Sequence, residues 1–187
     1  MPSIQKSASF DHQIRAMQFA DAVTSAIPSS HAQIYVDGSR SQDGATGFGL
    51  HIIFPASTQL TPMSTSHRYF HSPSSYLTEL RAILEAAHIA NTHPTLKSLP
   101  VTITSDCQPS MTAALSPTST NHTSIHAYNH LHSRQATTAL AWVPSHVGLP
   151  GNEIADSLAA EGTELDRGYR APRKTLFWKR LLAKLQL

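Results

Sequence analysis

Four carboxylates stand in settings from which they could share one reaction centre: Asp37, Glu79, Asp106 and Asp156. Asp37 closes the strand-like run Ile34-Tyr35-Val36-Asp37-Gly38-Ser39, and Asp106 closes a second, Val101-Thr102-Ile103-Thr104-Ser105-Asp106. Glu79 opens the helical run Tyr76-Leu77-Thr78-Glu79-Leu80-Arg81-Ala82-Ile83-Leu84. Asp156 lies in Gly151-Asn152-Glu153-Ile154-Ala155-Asp156-Ser157-Leu158-Ala159, ten residues after His146. Acids brought together would repel one another unless cations sat among them. Hard oxygen donors, without cysteine or clustered histidine, suit Mg²⁺, which combines a few protein carboxylates with waters and substrate phosphate. Two such ions about 3.5–4 Å apart activate a water and relieve charge on both the attacking and leaving oxygens of a phosphodiester.

Each acid alone has a plainer reading. Asp-Gly-Ser after an apolar strand is usually a turn, and a Glu in the first turn of a helix complements the dipole. Asp156 reads as a solvated side chain, because Ile154 and Leu158 lie across the helix as its apolar side. The combination says more. The run Trp142-Val143-Pro144-Ser145-His146-Val147-Gly148-Leu149-Pro150-Gly151-Asn152-Glu153-Ile154-Ala155-Asp156, with Thr78-Glu79-Leu80-Arg81-Ala82 and Ser105-Asp106-Cys107-Gln108, resembles the ribonuclease H family. The likeness is nearest to the ribonuclease H domain of non-LTR retrotransposon polyproteins. It spans about residues 32 to 165 and keeps the family's order of acids and its spacing from His146 to Asp156.

The resemblance implies an α/β fold: a mixed five-stranded sheet, three antiparallel strands and then parallel ones, flanked by helices. It implies a metal-dependent endonuclease that hydrolyses the RNA strand of RNA/DNA hybrids and leaves 5′-phosphate and 3′-hydroxyl ends. Two Mg²⁺ ions, with Mn²⁺ as a substitute, would be held by Asp37, Glu79, Asp106 and Asp156. By carry-over Asp37 bridges the ions, and Asp156 helps hold the one that generates the nucleophilic water. Glu79 and Asp106 hold the other, near the leaving oxygen. His146 matches a mobile histidine that assists product release or proton movement. Gln108 matches a residue that reads the hybrid's minor groove, where ribose 2′-hydroxyls lie, and the backbone at Gly38 and Ser39 would share that reading. Ser74 and Ser75 stand where the family often has Thr or Asn against the nucleic-acid strands. Glu153 either binds a metal water or caps a helix.

Two other functions fit parts of the pattern. An integrase-like DNA nuclease would share the acidic cluster, but the Ser145-His146 to Asp156 signature argues against it. A non-catalytic hybrid-binding module derived from a retroelement would be expected to lose an acid, and all four are present. Reverse transcriptase domains of the same polyprotein are the implied partners. The segment from 107 to 137 lacks the extra basic helix that some family members use to grip the hybrid, and its one basic residue is Arg134.

The 187 residues allow one domain with a core and short extensions, and 40% are apolar. Apolar runs fall short of the ~20 residues that span a bilayer, so no membrane association through a spanning helix is expected. The single cysteine, Cys107, fits a reducing, intracellular compartment, without distinguishing nucleus from cytoplasm. Twelve histidines are scattered, and even His122, His126, His130 and His132 lack a cysteine or acidic companion. Charge is uneven. Residues 1 to 166 carry seven basic residues against twelve acids, a formal −5, and residues 167 to 187 carry seven basic residues and no acid.

The elements needed to position the acids follow from periodicity and breakers. Residues 1 to 30 read as an extension with a helix over Gln13 to Ile27, the catalytic domain as 31 to 166, and 167 to 187 as a basic amphipathic tail. Strands are expected at 32–38, 47–54, 63–70, 101–105 and 138–143. Helices are expected from Ser74 or Ser75 to about 91, at 107–115, around Ile125, Tyr128 and Leu131, and at 151–164.

Overall fold

The computed structural model describes residues 3–69 and 74–165, and the basic tail lies outside them. The strands are β1 (Ala32–Arg40), β2 (Thr46–Ile53), β3 (Met63–Tyr69), β4 (Val101–Ser105) and β5 (Thr138–Trp142). The helices are α1 (Ser3–Ser25), α2 (Ser75–Thr92), α3 (Gln108–Ala114), α4 (His122–His132) and α5 (Pro150–Glu164). They make one sheet in the order β3-β2-β1-β4-β5. β1 pairs antiparallel with β2, and β2 with β3, while β1–β4 and β4–β5 are parallel.

β1 is central because it is apolar on both faces. Ile34 and Val36 enter the main core with Leu80, Ile83, Ala87 and Ile103. Tyr35 points the other way, into a smaller cluster with Val143, Val147, Leu149 and Ala155. Such two-sided burial is what a strand under helices on both faces requires. The tight link to β2 uses Gly44 at φ +85, with Ser41 N–H donating to the Ala45 carbonyl at 2.8 Å.

α2 begins where Ser74 accepts the Leu77 N–H through its side chain at 3.3 Å, a serine N-cap. α5 lies directly on β1 and β2. A Cβ at Gly49 would stand 2.3 Å from the Ala155 carbonyl oxygen, so only glycine admits this approach. Its buried stripe is Gly151, Asn152, Ala155, Ala159 and Gly162. This corrects the expected apolar side, since Ile154 is 39% exposed. Ile125 on α4 is likewise exposed, and Ser124, Ala127 and Leu131 face inward instead. The N-terminal helix is longer than its sequence pattern and starts at Ser3. Ala16, Ala20 and Val23 bring it onto the smaller apolar cluster. Among the described residues no helix is long and apolar enough to cross a membrane.

Candidate active site

Parallel pairing of β1 and β4 sets Tyr35 opposite Thr104. Continuing that register by two residues places Asp37 opposite Asp106, just past β4, while β1 runs on to Arg40, two residues beyond the expected end; the connections of the two strands run in opposite directions. Clefts at such points favour ligand binding in α/β sheets. Glu79 joins them from α2. One carboxylate oxygen from each of Asp37, Glu79 and Asp106 lies within 4.8 Å of the others.

Gly38 makes this convergence possible. A Cβ there would lie 2.4 Å from the Glu79 nitrogen and 2.6 Å from the Thr78 carbonyl carbon, so α2 could not approach β1. Gly38 is buried, and its amide donates toward the carboxylates of both Asp37 and Glu79. Glu79 is the fifth residue of α2 and only 9% exposed. That depth excludes the dipole reading, because helix-dipole effects fade within the first turn.

Asp156 stands a little apart on α5. Its Oδ2 is 3.8 Å from His146 Nδ1, and both side chains are substantially exposed. Its charge nevertheless reaches Asp37 and Asp106. His146 has φ 53, an uncommon value for a residue with a Cβ, in a loop that also holds Gly148 at φ 79. Glu153 Oε1 accepts the Gly148 N–H at 3.2 Å, so it caps that loop while standing within 4.8 Å of His146 and Asp156.

The acids pay electrostatically for this proximity. Asp37 is pushed up to about 7, first by burial, then by the charges of Asp106 and Asp156. Glu79 is pushed up to about 10 by burial, then by Asp37 and Asp106. Burial is also the leading cause for Asp106, opposed by the Asn152 amide, whose Nδ2 donates to Oδ2 at 3.4 Å. Glu79 Oε2 is buried without a hydrogen-bond partner. An all-oxygen donor set, raised acids and an orphaned carboxylate oxygen fit a divalent cation.

The pH dependence of stability follows. A folded-state pKa raised above the unfolded value means that the fold keeps protons the unfolded chain releases, so stability falls as pH rises through the folded value. Burial lowers His51, His67 and His93, which costs stability as pH drops below about 6.5. Above about pH 7 those histidines are neutral in both states, and the acids alone set the slope. Without metal, the melting temperature should therefore fall between pH 7 and 9, and Mg²⁺ should reduce the fall. Calorimetry showing a rise over that range would contradict this electrostatic account.

The other sequence candidates adjoin these acids in sequence. Gln108 is the exposed first residue of α3, adjoining Asp106 in sequence. Ser39 is half-buried beyond Asp37, Ser74 caps α2, and Ser75 is exposed. Two residues gain roles that motif reading missed. Asn152 is 3% exposed and orients Asp106. Trp142 Nε1–H donates to the Asp106 main-chain carbonyl at 2.9 Å. A polar residue in the otherwise small, apolar stripe of α5 was the available signal for Asn152.

Comparison with known proteins agrees with this geometry. The RNase H family profile matches residues 29–164. The chain belongs to the ribonuclease H family. Solved ribonucleases H share its fold at low identity. The RNase H1 of Halobacterium salinarum NRC-1 is 17% identical with a TM-score of 0.57, over 72% of this chain and 98% of that one. The N-terminal RNase H domain of Rv2228c from Mycobacterium tuberculosis is 16% identical with a TM-score of 0.56, over 71% and 98%. A foamy viral protease-reverse transcriptase, solved in complex with an RNA/DNA hybrid, is 20% identical with a TM-score of 0.56, over 73% of this chain and 21% of that one. No curated protein sequence matches the chain. This ribonuclease H keeps all four acids of the expected set, three of them converged and the fourth within electrostatic reach.

Proposed function

We propose that this ribonuclease H hydrolyses the RNA strand of RNA/DNA hybrids with two divalent ions, Mg²⁺ or Mn²⁺, leaving 5′-phosphate and 3′-hydroxyl ends. The observation that carries the reading is the buried Asp37–Glu79–Asp106 cluster with its orphaned Glu79 oxygen. Asp37, Glu79, Asp106 and Asp156 would hold the ions. When bound, these supply a hydroxide nucleophile and neutralise charge on the leaving oxygen. The chain's own residues do the rest. Gly38 brings the helix carboxylate to the strand carboxylate, and Asn152 and Trp142 fix Asp106 from its side-chain and main-chain ends. His146 stands in the exposed loop beside Asp156, where it could move a proton or help product leave. Gln108, Ser39, Ser74 and Ser75 are the proposed contacts to the two strands. The decisive assay offers labelled RNA/DNA hybrid, double-stranded RNA and double-stranded DNA, each with and without Mg²⁺. Cleavage confined to hybrid RNA supports the proposal, and equal cutting of DNA overturns it.

Among the described residues, most Lys and Arg side chains near the sheet are already engaged or lie away from the acids. Arg134 donates to the carbonyls of Leu96 and Leu99, so it ties the α4–β5 link to the body. Arg68 donates to the carbonyls of Thr163 and Leu165, and Arg81 pairs with Glu85 at 2.8 Å. Lys97 lies before β4, at the sheet end opposite the acids. Arg15 is exposed on α1, and Arg40 is exposed at the end of β1 beyond Asp37. Arg40→Gln should raise KM roughly two- to fivefold, the size of an exposed charge contact. It should also flatten the salt dependence by about 0.9 in slope, one phosphate's worth. An unchanged slope would shift the grip to residues 167–187.

His146→Ala should slow steady-state turnover while leaving metal affinity near wild type. General acid–base help is worth about 10²–10⁴-fold, and help with release can be smaller. A steady-state loss with intact single-turnover rate assigns release, and loss in both assigns proton transfer. Wild-type rates in both would remove His146 from the mechanism.

A further inference from the structure

Helix α1 lies outside the matched residues 29–164, yet it touches the support of a proposed metal ligand. Phe19 packs on the ring of Trp142 with centroids 5.6 Å apart and planes inclined by 50°. Trp142 ends β5, and its indole N–H holds the Asp106 carbonyl at 2.9 Å. Asp106 itself is one residue past the end of β4. Its carboxylate is steadied by Asn152 and its main chain by Trp142.

The position of Phe19 is not explained by burial. The ring remains 47% exposed, whereas its neighbour Ala20, at 1%, is the residue that anchors α1 in the smaller apolar cluster. What Phe19 covers is one side of Trp142, the donor to Asp106. An aromatic pair contributes beyond its buried area, by an amount of the same order as the net worth of the indole hydrogen bond it would protect. The energies therefore permit one contact to govern the other.

We infer that α1 is a positioning element of the catalytic centre, acting through Phe19 on Trp142 and through the Trp142 indole on Asp106. The inference rests on the proposed role of Asp106 as a metal ligand. Loss of Phe19 frees the ring, the Asp106 main chain gains latitude, and the site presents its third carboxylate less often in the position that binds a cation.

The test compares Phe19→Ala, Phe19→Tyr and Trp142→Phe with wild type, and uses Met17→Ala, another exposed apolar residue of α1, as a control. Three readouts are taken on the full chain: Mn²⁺ affinity by calorimetry without substrate, the Mg²⁺ concentration for half-maximal hybrid cleavage, and exchange of the Trp142 indole N–H by NMR. Phe19→Ala should speed indole exchange and weaken both metal readouts by roughly two- to tenfold, the loss of about one hydrogen bond. Trp142→Phe keeps a ring but removes the donor, and should show the same metal defect. Phe19→Tyr and Met17→Ala should behave as wild type. Should Phe19→Ala fail to fold, Phe19→Leu gives the same comparison, keeping bulk without the flat face. Wild-type metal readouts in Phe19→Ala, whatever its melting temperature and whatever Trp142→Phe shows, would overturn the inference and leave α1 a packing element. Failure of the functional reading looks different: wild type itself would bind no Mn²⁺ and cut no hybrid.

Discussion

Asp37→Asn should abolish the proposed hybrid cleavage and, without metal, make the protein more stable. Both effects have one cause. Asp37 is buried between Asp106 and Asp156, with a carboxyl pushed up to about 7. At pH 8 it is mostly ionised, against the opposition of burial and like charge. Asparagine keeps the shape and removes the charge. The expected gain without metal is on the order of 4 kcal/mol at pH 8, since each pH unit of displacement is worth about 1.36 kcal/mol. The gain should shrink toward pH 5, where Asp37 is protonated in the fold. Activity should drop about 10³-fold or more, because the acid proposed to bridge both ions is gone and several kcal/mol of charge stabilisation go with it. Mg²⁺ should then raise the melting temperature of the variant much less than that of wild type. An Asp37→Asn protein with lower metal-free stability and near-normal turnover would show that the cluster is not a metal site.

Gly38→Ala should damage the fold and the acidic cluster together. The new Cβ would meet the Glu79 nitrogen at 2.4 Å, the Thr78 carbonyl carbon at 2.6 Å and the Glu79 Cα at 2.8 Å. All three are backbone atoms, so no rotamer change relieves the contact and α2 must shift. Overpacking of this kind costs about 1–3 kcal/mol, and more where the neighbour is rigid. For a chain of this size that is roughly 2–12 °C in melting temperature. The shift also carries Glu79 away from Asp37, and a displacement of about 1 Å can cost 10²-fold in rate. Gly44→Ala is the control. Gly44 sits at φ +85 with only the Arg40 guanidinium nearby, at 3.7 Å. It should lose some stability through backbone strain and keep its turnover. Equal activity loss in both variants would mean that the Gly38 effect is general destabilisation.

The residues that were legible in the sequence are those whose role depends on local pattern. The strand ends bearing Asp37 and Asp106, and the serine start of α2, follow from alternation, helical period and capping. Three features were hidden for physical reasons. The buried side of α5 is made of glycine, alanine and Asn152, because glycines at 47 and 49 let the helix lie on the strands. Reading large apolar residues therefore pointed to Ile154 and Leu158 and away from the true face. The anchoring of Arg134, the one basic residue between 107 and 137, was hidden because the carbonyls that accept from its Nη2 lie 35 and 38 residues away in sequence. The depth of Glu79 depends on how closely α2 approaches β1, a distance set by Gly38 on another element. The four acids could be found because their order and local settings match the family's pattern. What holds them in place is long-range, and so invisible to local pattern.

The most direct test of the account is divalent-metal binding to the substrate-free protein, by titration calorimetry at pH 8, for wild type, Asp37→Asn and Glu79→Gln. Wild type should bind Mn²⁺ with release of protons, because the Glu79 carboxyl, pushed up to about 10, must ionise as the cation enters, and each variant should lose most of that affinity. Equal Mn²⁺ affinity in all three proteins, with no proton release, would contradict the account.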